Sequence, residues 1–243
     1  MRSELFQAAI DTLLTTMSVE FARGTSTACR RTAHLLRSID TTISTEPIQP
    51  VSSHDTPCSL PDSVLELLET NSPIPTVSEI AALTQDLQWN QSARAHTPIS
   101  ELVGPTSLIK HQSFRVGLFA LIPGIDYADH AHPADEVYIV LAGSGSWSLD
   151  GGPYQVKRAG DIIDIPSMMT HAMRTGPTPA LTLYSWSGDD VSFDHYRFCR
   201  FLREVNHAIT CSGCCCRWRL CRRQRAVQSC APRLDRCLPA RAH

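Results

Sequence analysis

Nowhere in its 243 residues does the chain carry an uninterrupted apolar run of signal-peptide or membrane-span length. The opening stretch, Met1-Arg2-Ser3-Glu4-Leu5, is soon followed by a further acidic residue, Asp11. The expectation is a soluble, cytoplasmic protein without a membrane partner. Cysteine is scarce through most of the chain: of ten, only Cys29 and Cys58 precede residue 199. Net charge is also low, at −2, but it conceals an imbalance. Residues 203–243 hold nine arginines against Glu204 and Asp235, leaving 13 basic and 22 acidic side chains before them.

That last stretch lacks what a functional tail would need. Cys211-Ser212-Gly213-Cys214, with Cys215 and Cys216, has no second pair at finger or ribbon spacing and no His-x-His partner. An arginine run without supporting context does not identify a nucleic-acid site. The segment has no strand pattern and no lysine, so it reads as a disordered appendage or as out-of-frame translation.

What is there divides by period. Leu5, Phe6, Ala9, Ile10, Leu13, Leu14, Met17 and Phe21 recur at three-four spacing and predict a helix over 4–22, with a second from about Ser26 to Ile39. Thr41–Pro61, rich in Thr, Ser and Pro, reads as a loop; Ser63–Glu69 reads as a short helix. Thr76-Val77-Ser78-Glu79 has the form of a capping box opening a helix toward Leu87. These helices carry no visible chemistry and are expected to form a packing layer, with a homodimer contact as one use for it. From Ser107 the pattern changes to strands, at Phe114–Pro123, Val137–Leu141, Trp147–Leu149, Gly160–Pro166 and Ala180–Trp186, with Val191–Phe198 as a last candidate. At this length the chain can bury one core plus a smaller layer. The reading is a mainly β protein: residues 1–100 a helical layer, 101–202 an antiparallel barrel or jelly roll, 203–243 the tail.

The chemistry is concentrated between Gly124 and His171. His130 and His132, Glu136 four residues on, and His171 are donors that suit a hard-to-borderline divalent metal. On a strand, residues two or four apart share a face, so His130, His132, Glu136 and Tyr138 are expected to point one way. Gly143-Ser144-Gly145 reads as the turn that ends their strand. Zn, Fe, Mn, Co and Ni all accept such ligands. His34, His54, His96, His111 and His195 have no ligand partners at strand spacing and read as surface or structural. Asp135 reads as solvent-facing.

These residues resemble the two cupin motifs. The first is met by Gly124, His130, His132, Glu136 and Gly143, and the second by Gly160, Pro166 and His171, with departures at Met168 in place of Gly and at Thr175 in place of Asn. The resemblance implies a single double-stranded β-helix barrel that binds one divalent metal. The finer pattern Tyr127-x-x-His130-x-His132-x-x-x-Glu136-x-Tyr138, then Gly160-Asp161 through His171-Ala172 to Trp186, resembles the cupin-type dimethylsulfoniopropionate lyases over about residues 85–200. By that resemblance the metal set is His132, Glu136, Tyr138 and His171, Tyr138 is also the base, and His130, Tyr127 and Trp186 meet the substrate. In the general cupin pattern His130 is instead a ligand.

The implied reaction is β-elimination: a proton leaves the carbon beside a carboxylate as the sulfonium departs as a neutral sulfide. A metal holding the carboxylate would stabilise the developing enolate-like charge. A phenol with a pKa of about 10 needs such a cation nearby to act as a base. The sulfonium, lacking hydrogen-bond donors, suits the faces of Trp186, Tyr127 or Tyr184. Dioxygenases and sugar isomerases use similar ligands, and a binding cupin needs no turnover. No helix-turn-helix signature supports a regulator.

Overall fold

Alternation along three central strands decides the architecture. A computed structural model describes residues 2–69 and 74–199, and the tail of residues 203–243 lies outside the described residues. Helices α1 (Arg2–Ala22), α2 (Thr27–Ser38), α3 (Asp62–Glu69) and α4 (Pro75–Leu83) precede or accompany twelve described strands. Strands β5 (Phe114–Leu121), β7 (Asp135–Leu149) and β11 (Ala180–Ser187) lie side by side, β11 in the middle. Val116, Leu118 and Ala120 of β5, Val137, Ile139 and Leu141 of β7, and Leu181 and Leu183 of β11 pack against Ile10, Leu13, Met17, Phe21, Val64 and Ile80 of the helices. The intervening residues, among them Phe119, Tyr138, Val140, Tyr184 and Trp186, turn into a second cluster inside the barrel. Each strand is thus covered on both faces, which is why Val137–Leu141 is a continuous apolar run.

The strand order starts with β1 (Thr56–Cys58), β2 (Trp89–Gln91), β3 (Pro98–Gly104) and β5, passes through β11 and β7, and ends with β10 (His171–Arg174), β6 (Asp126–Ala131) and β12 (Arg197–Phe198). Strand β4 (Ile109–Lys110) pairs with β3, in parallel; β8 (Gln155–Arg158) and β9 (Ile162–Ile165) pair antiparallel with β7. The result is the cupin barrel with helices at its N-terminal side. Among the described residues no helix is long and apolar enough to cross a membrane.

Several local expectations are corrected. Gly143-Ser144-Gly145 does not end a strand: β7 runs through it to Leu149, 15 residues in all. Its register against β11 slips between Leu181 and Thr182, and Gly143 sits at φ +72, where a Cβ would lie 2.0 Å from the Pro179 carbonyl oxygen. The glycine serves a bulge rather than a turn. The capping box is not used: α4 has Ile74 as its N-cap without a side-chain bond, Pro75 opens the helix, and Thr76 is buried inside it. The loop 41–61 contains β1, and Val191–Phe198 is irregular except for β12. Asp135 is not free in solvent, since it accepts from Arg31 Nη1 and the Ser167 amide, both at 3.0 Å. Helix α2 is capped by Ser26, whose Oγ accepts from the Cys29 amide at 3.0 Å and donates to Asp164 of β9.

Both departures from the cupin motifs find a local account. Met168 holds the left-handed φ of +62 that glycine adopts without strain, and its amide donates to the His132 carbonyl at 2.8 Å. Thr175 accepts from the Ile125 amide at 3.0 Å and donates to the Ile122 carbonyl, tying β10 to the turn before β6.

Candidate active site

Two strand pairs meet at the site. In the first, His171 of β10 is in register with His130 of β6. In the second, Glu136 of β7 is opposite Trp186 of β11, with Tyr138 opposite Tyr184. His132 lies on the link that carries the chain from β6 through Pro133 and Ala134 into β7. The four residues expected on one strand face therefore occupy two strands and the turn between them. Pro133 cannot donate to a ladder, and the chain reverses there.

One ring nitrogen from each of His130, His132 and His171 lies within 4.8 Å of the others, and all three side chains are buried. Glu136 Oε2 is 3.2 Å from His132 Nε2 and 3.1 Å from His171 Nε2, while Oε1 accepts from Trp186 Nε1 at 2.7 Å. His130 Nδ1 meets the Ala128 carbonyl at 2.7 Å, and His171 Nδ1 meets the Met169 carbonyl at 3.0 Å. A carbonyl only accepts, so each Nδ1 carries the hydrogen and each Nε2 keeps a lone pair. His171 Nε2 and His132 Nδ1 are buried without an aligned hydrogen bond among the described residues. Lone pairs converging beside a carboxylate, with the His130 and His171 rings anchored through Nδ1, fit a divalent metal.

The electrostatics agree. Burial, with His171 beside it, pushes His130 down to about 3, so it is a neutral donor of electrons. Burial alone would raise Glu136, but the two histidines outweigh it and hold the carboxyl well below its usual range. Tyr138 is buried against this carboxylate, and both effects push its hydroxyl well above the ordinary phenol value.

Tyr127, His130, Glu136, Tyr138 and Trp186 line one cleft. Tyr127 stacks on His130 at 4.3 Å, and Trp186 lies 4.1 Å from His132. Tyr184 lines it as well, with its hydroxyl donating to Glu101 Oε2 at 3.1 Å. His195 lies apart, paired with Asp190 at 2.9 Å.

Other cleft residues have no sequence signal. Phe193 and Tyr196 lie on the segment between β11 and β12; Tyr196 stacks on His130 at 5.2 Å, and its hydroxyl bonds that of Tyr127. Arg94 comes from the turn before β3. Arg115 of β5 makes 2.9 and 3.0 Å bonds to Glu101 and holds the Val191 carbonyl at 2.8 Å.

The profile of the dimethylsulfoniopropionate (DMSP) lyase family matches residues 27–182. Among curated proteins, the chain is 33% identical over 88 residues to dimethylsulfoniopropionate lyase DddQ of Ruegeria pomeroyi, covering 36% of this chain and 44% of that protein. It is 31% identical over 83 residues to DddW of the same organism, covering 34% and 54%. The chain thus spans about half the length of the curated relatives it matches. The crystal structure of DMSP lyase DddQ from Ruegeria pomeroyi superposes with a TM-score of 0.56 at 21% identity, covering 76% of this chain and 94% of that one. A chain from the crystal structures of the DMSP lyases RdDddP and RnDddQII gives 0.55 at 24%, covering 79% and 98%. At these identities the superpositions establish the fold.

Proposed function

The chain belongs to the dimethylsulfoniopropionate lyase family, and on that premise we propose that it is a metal-dependent lyase cleaving DMSP by β-elimination to dimethyl sulfide and acrylate. The observation that carries this reading is the convergence of His130, His132, His171 and Glu136 in a cleft also lined by Tyr138, Tyr127 and Trp186. His132, Glu136 and His171 are the core of the ligand set, with Tyr138 as a fourth ligand and His130 facing both metal and substrate. A divalent transition metal there supplies Lewis acidity to the substrate carboxylate and a positive charge that brings a phenol toward its ionised form.

Tyr138 is the base in this scheme. Its hydroxyl, held high by burial and by Glu136, would ionise only with a cation beside it, its proton passing to solvent, and the phenolate would then take the proton beside the substrate carboxylate. Tyr127 and Trp186 present aromatic faces to the sulfonium. The buried walls exclude water from the developing carbanion. Among the described residues Cys29, Cys58 and Cys199 are free thiols, which suits a reducing cytoplasm. A homodimer is the proposed assembly.

Headspace measurement of dimethyl sulfide from the purified chain given DMSP, with divalent metals added singly, tests the reading. Metal-dependent release that collapses in Tyr138→Phe, while the metal stays bound, is the expected result. No release from folded, metal-loaded protein would shift the assignment to an oxygen-dependent or isomerising cupin, or to a binding protein.

A further inference from the structure

Arg94 is the charged group of the cleft whose guanidinium has neither an ion pair nor a hydrogen bond among the described residues. Glu136 lies against two histidines, Asp55 accepts the Ser52 and Ala93 amides at 3.1 and 2.9 Å, and Arg115 is doubly bonded to Glu101.

The backbone that presents Arg94 is fixed. Between β2 and β3, the Ser92 amide donates to the Thr97 carbonyl at 3.0 Å and the His96 amide to the Ser92 carbonyl at 2.8 Å. The Ala95 amide donates to Ser92 Oγ at 3.2 Å, and Ala93 is tied to Asp55. From this turn the half-buried side chain lies over Phe193 and Tyr196, with Cζ 4.6 and 5.2 Å from their ring centroids. Contact with aromatic rings uses none of the guanidinium's N–H donors as conventional hydrogen bonds and leaves its fork unspent. A planar fork at the wall of a cleft is the complement of a carboxylate.

We propose that Arg94 shares the substrate carboxylate with the metal site, pairing with one of its oxygens, and so selects carboxylate-bearing ligands. The inference rests on the reading of the cleft as the site of a lyase acting on a sulfonium carboxylate. Arg94 also repels the sulfonium end, so the zwitterion is accepted in one orientation. Phe193 is already engaged by Arg94 and by Arg115, 5.0 Å from its centroid, and Tyr196 by Arg94. The aromatic contacts of the sulfonium therefore fall to Tyr127 and Trp186.

The test is calorimetric titration of the full chain, at equal metal content, with propionate and with propionamide, which differ in charge but hardly in shape. R94Q weakens propionate about tenfold, in line with loss of a charge-assisted pair; R94K, keeping charge without the fork, weakens it less; neither changes propionamide. Equal loss of both probes would reduce Arg94 to a prop for Phe193 and Tyr196 and overturn the proposal, as would unchanged propionate binding in either variant or none in the unmodified chain. An unmodified chain that binds propionate through Arg94 yet releases no dimethyl sulfide from DMSP would refute the lyase reading and leave the carboxylate anchor standing.

Discussion

Trp186 Nε1 donates to Glu136 Oε1 at 2.7 Å across the β11–β7 pairing, while the other oxygen of the same carboxylate faces His132 and His171. One oxygen is spent on orientation, which leaves the other for a metal. Trp186→Phe keeps a ring beside His132 but removes the donor. Metal affinity, measured by competition with a chelator, is expected to fall about tenfold. Unchanged affinity would show that Glu136 is held by its strand alone.

The buried pair Arg115–Glu101 joins the cleft wall to Tyr184 and Ser107. Arg115→Met leaves the carboxylate uncompensated and is expected to cost about 3–5 kcal/mol in urea unfolding at neutral pH. Adding Glu101→Leu should recover part of it, since both charges are then gone.

Backbone strain gives a pair of opposite predictions. Gly143→Ala forces a Cβ into the Pro179 carbonyl at a positive φ and should cost about 2 kcal/mol or more. Met168→Gly relieves a left-handed methionine that is 38% exposed, and should gain about 0.5–1 kcal/mol. Thermal melting of both variants checks the signs.

The histidines were legible because the cupin spacing is local: Gly124 to Gly143 is a single uninterrupted motif whose geometry follows from one turn. The helical stripe of α1 was legible too, because Ile10, Leu13, Met17 and Phe21 all bury at one interface. Arg94, Phe193 and Tyr196 were not, since barrel closure brings them together from distant segments and nothing in their own neighbourhoods marks them. Gly143 misled for a physical reason: a positive φ serves a turn and a bulge equally, and the deciding contact is Pro179, far along the chain.

Cys29, buried at the joint between α2 and β9, has its thiol pushed up to about 11, chiefly by burial and also by Asp164, against opposing bonds from Ser26. The folded state thus favours the protonated form. Its contribution to stability is complete below the unfolded thiol pKa of about 8.5 and declines as pH rises toward about 11. The urea midpoint of the native chain should fall more steeply over that interval than that of Cys29→Ala. Parallel curves would remove Cys29 from the account.

Truncation after Arg203 is expected to leave metal binding and dimethyl sulfide release intact, because the ligand and cleft residues all precede it. Loss of either in the truncated chain would give the cysteine- and arginine-rich segment a role.

Strand β7 pairs with β8, β9, β10 and β11, and carries Glu136 and Tyr138 near one end and Trp147 near the other. Along Glu136–Ile139 it is flanked on both sides, by β9 and β11, and exchange of the amides bonded to β11 there is expected to follow opening of the barrel. Three of its four partners, β9, β10 and β11, pair with it across more than 20 residues of chain, contacts of the kind that slow folding. His130, His132, Glu136 and His171 come from β6, the link after it, β7 and β10, so their mutual geometry exists only where those strands are paired.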